Sequence, residues 1–144
     1  MYRYLWVVII LFTSVVSAKQ IEVSEANDRA SAGKTFVVVL HADWCGPCKV
    51  LIAQLQKTDI PFAVMDPTTD NNAKPYKKSS TLPEVYISQR KMVDGKLTYN
   101  HTVLHITSTK TSGITVKRVR AAMAAVSAAV KNNANLNEDE FNAN

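Results

Sequence analysis

An unbroken apolar run, Phe36-Val37-Val38-Val39-Leu40, is followed after a short turn by Trp44-Cys45-Gly46-Pro47-Cys48-Lys49 and then by Val50-Leu51-Ile52-Ala53-Gln54-Leu55. The first run is bounded by turn signals, which predicts a central strand, and Val50, Leu51 and Leu55 recur at helical spacing. The local frame is therefore strand, tight turn, helix, with both cysteines of the chain at the turn. Two thiols at this separation can close a small disulfide ring without refolding anything else. The amides of a helix N-terminus and their partial positive charge lie beside the first sulfur and favour its thiolate. A thiolate is the nucleophile of disulfide exchange, and a second thiol nearby attacks the mixed disulfide to release it. Cys45 is thus expected at the exposed start of the helix as the attacking thiol. Cys48, one turn in and partly covered, is the resolving thiol. So small a ring restrains little of the unfolded chain, and the pair reads as reactive rather than structural.

The 144 residues bound the chain to one domain plus its ends. Met1-Tyr2-Arg3-Tyr4 is a short positive start, Leu5 to Val16 is apolar except for Thr13 and Ser14, and Val16-Ser17-Ala18 is a small-residue cleavage site. Residues 1–18 read as a signal peptide cut before Lys19. The run is short for a membrane span, which needs about 20 apolar residues; left uncleaved, it would be a membrane anchor. Export implies the periplasm in a bacterium and otherwise the secretory pathway or the extracellular space, all oxidising compartments. The net charge of +5 is mild. It suits acidic surfaces and does not argue for a nucleic-acid partner.

The chain alternates βαβ and then ββα, which predicts an α/β fold with a small mixed central sheet and helices on both faces. A short edge strand is expected over Lys19–Val23, then a helix over Ser24–Ala32 with Ser24 as N-cap and Gly33 as stop. After the strand Phe36–Leu40 and the helix Pro47–Lys57 come a strand over Ile60–Met65, a loop, and weak helical turns near Pro75–Lys78. Val85–Ser88 is a strand, Asp94-Gly95 a hairpin turn, and Asn100–Thr107 the last strand. Ile114–Lys131 is a long helix with Val116, Val119, Met123, Val126 and Val130 on its core face. The domain spans 19–131, and the polar, Asn-rich stretch 132–144 is expected to be a disordered tail.

Trp44-Cys45-Gly46-Pro47-Cys48-Lys49 after a buried strand resembles the active site of the thioredoxin family. His41-Ala42-Asp43-Trp44 resembles that family's lead-in, with His41 for the usual aromatic residue. Thr81-Leu82-Pro83-Glu84-Val85-Tyr86-Ile87 resembles its cis-proline strand, and Pro75 stands before Pro83 as a proline often does there. The resemblance covers residues 34 to 131. It implies a thioredoxin-like fold and a thiol–disulfide oxidoreductase with Cys45 and Cys48 as catalytic pair. It implies a cis Pro83 facing the cysteines, Leu82 offering its backbone to an extended substrate, and Trp44 as the lip of the groove. Gly46 and Pro47 match the thioredoxin dipeptide, which goes with reducing potentials, about −270 mV for thioredoxin itself. No dissociable cofactor is implied. The partners would be protein thiols and disulfides together with a redox-recycling protein, the chain itself being a monomer. In an exported protein, a reducing role implies electron supply across the membrane; oxidase and isomerase roles stay open. The chain departs from the pattern at Val39 and Phe62, where the family often buries an Asp–Lys pair that helps deprotonate the second cysteine. The stretch Thr107–Gly113 is also longer than the pattern expects.

Two other readings compete. One is a non-enzymatic interaction module of an envelope assembly that uses the same groove; a pure scaffold has no need of both thiols. The other is a metal site joining Cys45 and Cys48 to histidines. Zinc takes four ligands, and the chain has three histidines, His41, His101 and His105; surface or half-buried strand positions suit the last two better. Lys117, Arg118 and Arg120 make a solvated basic helical face, and Asn100-His101-Thr102 is a glycosylation sequon that matters in a eukaryotic host.

Overall fold

The computed structural model describes residues 20–108 and 113–143. The segment read as a signal peptide, and most of the long stretch before the last predicted helix, lie outside the described residues.

Helix α1 (Val23–Ser31) leads into strand β1 (Phe36–Leu40), helix α2 (Gly46–Leu55) and strand β2 (Ala63–Met65). A 3-10 segment (Asn71–Tyr76) precedes strands β3 (Glu84–Val93) and β4 (Lys96–Thr107) and helices α3 (Val116–Asn132) and α4 (Glu138–Ala143). The four strands form one sheet in the order β2-β1-β3-β4, with β1 and β2 parallel and the other pairs antiparallel. Every residue of β1 is buried, as its continuous apolar run requires of a central strand. Side chains alternate across the sheet. Val37 and Val39 pack with Leu51 and Leu55 of α2 and Val119, Ala122 and Val126 of α3. Phe36, Val38 and Leu40 pack with Ala26 and Ala30 of α1 and Ala73 of the 3-10 segment. Helices thus cover both faces of a mixed sheet, as the alternation of elements predicts.

Some expectations shift. The edge strand expected at Lys19–Val23 reduces to a single bridge, Gln20 to Phe62, with the Ile21 amide donating to the Phe62 carbonyl at 3.0 Å. Helix α1 already begins at Val23, so too little chain is left to form a ladder. Glu22 rather than Ser24 is the N-cap, without a side-chain bond. Strand β3 is longer than predicted and runs straight into the hairpin. At its turn Asp94 (φ 50°) and Gly95 (φ 73°) both take the left-handed conformation that a two-residue primed turn needs. Helix α3 is capped by Thr115, whose Oγ1 accepts from the Arg118 amide at 3.2 Å, and is closed by a left-handed Asn133. Val119, Val126 and Val130 are buried, and Val116 and Met123 pack at the margin of the core.

The expected disordered tail is the clearest difference. Residues Glu138–Ala143 form α4, and Leu136 and Phe141 pack against the main core. Six residues with few apolar side chains carry no readable periodicity, and a helix this short is not stable alone. Its order comes from bonds to β4. Glu138 Oε1 accepts from the His105 amide at 3.0 Å, Asn142 Oδ1 accepts from the Thr107 amide at 3.2 Å, and Asn142 Nδ2 donates to the His105 carbonyl at 2.8 Å. Two side chains one helical turn apart thereby satisfy backbone groups on the outer edge of β4, which no strand among the described residues covers.

Candidate active site

Cys45 is the N-cap of α2, and Gly46, Pro47 and Cys48 form its first turn. Proline suits this place because the first helical amides have no partner inside the helix. Cys45 and Cys48 are joined as a disulfide with Cα atoms 5.3 Å apart. The Cys48 amide donates to Cys45 Sγ at 3.2 Å, so the first sulfur takes the position that Ser or Asp oxygen fills in ordinary helix caps. On reduction this amide and the helix dipole favour negative charge on Cys45 over Cys48. The expected exposure of Cys45 does not hold in the disulfide form: Cys45 is 2% exposed and Cys48 0%. The accessible surface is instead Trp44, 73% exposed, beside the pair.

The Leu82–Pro83 bond is cis, as expected. Pro83 directly precedes β3, whose first residue, Glu84, pairs with Leu40, the last residue of β1. The chain leaves β1 at that point and turns through His41–Trp44 into Cys45. The cis-proline loop and the cysteine turn therefore leave the same end of neighbouring strands. Leu82 is half-buried against the α1-side core.

Val39 and Phe62 are fully buried in apolar surroundings, without a charged pair. A buried carboxylate does exist nearby, and the sequence reading missed it. Glu84 is 0% exposed. Its Oε1 accepts from the Lys78 amide at 2.9 Å and its Oε2 from the Ser79 amide at 3.0 Å; His105 Nδ1 lies 3.0 Å from Oε1, within hydrogen-bond reach. Its signal was a lone acid directly before the run Val85-Tyr86-Ile87 that opens a strand. By strand alternation Glu84 shares the face of Leu40 and Tyr86, whereas α2 packs on the face of Val39 and Val85. It therefore does not replace the missing proton acceptor beneath Cys48. Around it, Lys78 Nζ contacts Glu138 Oε2 at 2.8 Å, and this bond and charge hold the lysine above its ordinary range.

Among the described residues, no three metal-ligating side chains gather in one place. The cysteines bond each other and His105 bonds Glu84. No helix of the described residues is long and apolar enough to cross a membrane.

No family model matches the chain. Over 31 residues it is 58% identical to the mitochondrial thioredoxin-2 of Schizosaccharomyces pombe (strain 972 / ATCC 24843), a stretch covering 22% of this chain and 23% of that protein. The chain thus matches under a quarter of that curated relative's length. Among solved structures, chloroplastic thioredoxin z is 16% identical and superposes with a TM-score of 0.52, covering 79% of this chain and 97% of the other. The fold is that of the thioredoxins. Trichomonas vaginalis thioredoxin is 19% identical, with a TM-score of 0.45 over 76% of this chain and 96% of that one. The cysteine turn and the cis-proline loop lie at the same end of the sheet.

Proposed function

We propose that this thioredoxin-like chain is an exported thiol–disulfide oxidoreductase acting on protein partners. The observation that carries the reading is Cys45 Sγ serving as the N-cap of α2 while bonded to Cys48. In the reduced state the Cys45 thiolate attacks a partner disulfide, forms a mixed disulfide and expels one partner thiolate. Cys48 then gives its proton to water and attacks Cys45 Sγ, expelling the second partner thiolate and closing the ring. The partner gains two electrons, and the chain ends oxidised. A second dithiol protein must return those electrons for another turnover. Trp44, Gly46, Pro47, Leu82 and Pro83 form the walls against which an extended partner segment lies, its backbone pairing with Leu82. Export rests on the apolar run Leu5–Val16 and the site Val16-Ser17-Ala18, a pattern unlike the amphipathic, Arg-rich leaders of mitochondrial proteins.

The test is reduction of insulin by the dithiol form of the chain, followed by turbidity. The wild type should catalyse it and Cys45→Ser should not. A wild type no faster than the Cys45→Ser variant would refute enzymatic exchange and leave the interaction module standing.

A further inference from the structure

We infer that Glu84 is a positioning residue, which sets the backbone of the Leu82–Pro83 substrate loop by holding both ends of that loop to the sheet. The inference rests on the oxidoreductase reading and names a part of the site that does no chemistry.

The loop runs from Lys78 to Pro83, and Glu84 follows it directly. The Glu84 carboxylate reaches back to the amides of Lys78 and Ser79, where the loop begins. The loop is thus closed on itself through one side chain. A second tie lies inside it: the Thr81 amide donates to Ser79 Oγ at 3.0 Å. Outside, His105 of β4 fixes the carboxylate through Nδ1, and its ring packs edge-on against Tyr86 at 5.2 Å. His105 is in turn held by Glu138 of α4, which also binds Lys78 Nζ. Glu84, His105, Glu138 and Lys78 therefore form a closed circuit joining the loop, the sheet edge and the C-terminal helix.

The energetics say what the circuit is for. A fully buried carboxylate is costly and contributes little net stability even when well bonded, compared with an apolar side chain of similar volume. What it supplies is geometry. Two backbone amides and one ring nitrogen converge on two oxygens, and no apolar residue at position 84 would fix the loop in one place. A substrate strand that pairs with Leu82 needs that backbone preset, because each poorly placed hydrogen bond loses affinity.

Glu84→Gln keeps the volume but turns one acceptor into a donor facing another donor. With insulin as substrate, KM should rise by up to about tenfold, the factor that corresponds to one lost hydrogen bond, with kcat nearly unchanged. The rate with a small aromatic disulfide, which does not use the loop, and the redox potential of the Cys45–Cys48 pair should stay at wild-type values. Equal losses on both substrates, a shifted potential, or no change in KM would overturn the inference. If Glu84→Gln does not fold, the His105 pair decides. His105→Leu, which removes the donor, should raise KM, and His105→Asn, whose amide reaches the place of Nδ1, should restore it; identical KM values for the two would overturn the inference. A wild type inactive on both substrates would overturn the oxidoreductase reading itself, and this inference with it.

Discussion

Replacing Val39 with aspartate would put a carboxyl where thioredoxins commonly bury one. The consequences for stability and for chemistry have opposite sign. Val39 is fully buried, pairs with Val64 and Val85 across the sheet, and packs with Leu51 and Leu55 on the face covered by α2. Cys48 lies one turn before Leu51 on the same helix and is equally buried. Losing the valine's burial costs about 1.5–3 kcal/mol, and a buried carboxyl without a partner costs about 1–3 kcal/mol more. The expected loss of about 2.5–6 kcal/mol lies below most of the roughly 5–15 kcal/mol of a typical domain, so the variant should fold. Burial would hold the new carboxyl above the usual carboxylate range, close to the pH at which it can take the Cys48 proton. General-base help is worth about 10²–10⁴ in rate in good geometry; release of a mixed disulfide should quicken by at least about tenfold at neutral pH. Val39→Asn is the control, since it has the same shape and polar burden but no proton acceptor. Denaturant melts, paired with stopped-flow release of a mixed disulfide, measure both effects. If Asp and Asn resolve mixed disulfides at the same rate, Val39 does not stand beneath Cys48 and the reasoning fails.

Three further outcomes are expected. Cys48→Ser should accumulate mixed disulfides with partner proteins on non-reducing gels while Cys45→Ser does not, since only Cys45 has its sulfur on a helix amide; trapping by the other variant would reverse the roles. Asn142→Ala should lower stability by about 1–2 kcal/mol and speed hydrogen exchange at the Thr107 amide that Asn142 accepts from; unchanged exchange would mean α4 does not hold the strand edge. Burial and then the nearby Arg90 lower the His101 pKa from 6.5. The folded state therefore binds fewer protons there than the unfolded chain, so stability should fall as pH drops through 6.5 and level off below the folded-state pKa. His101→Gln should flatten that part of the stability–pH curve, and an unaltered curve in thermal melts would count against the assignment.

What was legible in the chain was local. Phe36–Leu40, the cysteine turn and the start of α2 are contiguous, so periodicity and cap positions place them. The cis Pro83 came from a resemblance spanning only a few residues, Thr81 to Ile87. Glu84 and α4 were not legible because their determinants are distant partners. Glu84 becomes intelligible only when His105 is set beside it by the pairing of β3 with β4, and Asn142 only when Thr107 presents an unpaired amide. The cover of Cys45 in the disulfide form was not legible for a related reason: position on a helix fixes direction, whereas cover depends on what packs around the sulfur. The difference between a polar tail and a structured helix came down to the bonds of Glu138 and Asn142 to β4, with Leu136 and Phe141 packed against the core.

The bonds from α4 to β4 also impose an order on biosynthesis. Asn142 lies 35 residues beyond the Thr107 it covers. At a synthesis rate of about 5–20 residues per second, the strand is made roughly 2–7 s before its cover exists. Until α4 docks, the chain carries a bare β edge, the kind of surface to which another copy can add. Any factor that slows the docking of α4 prolongs the window in which neighbouring chains can pair.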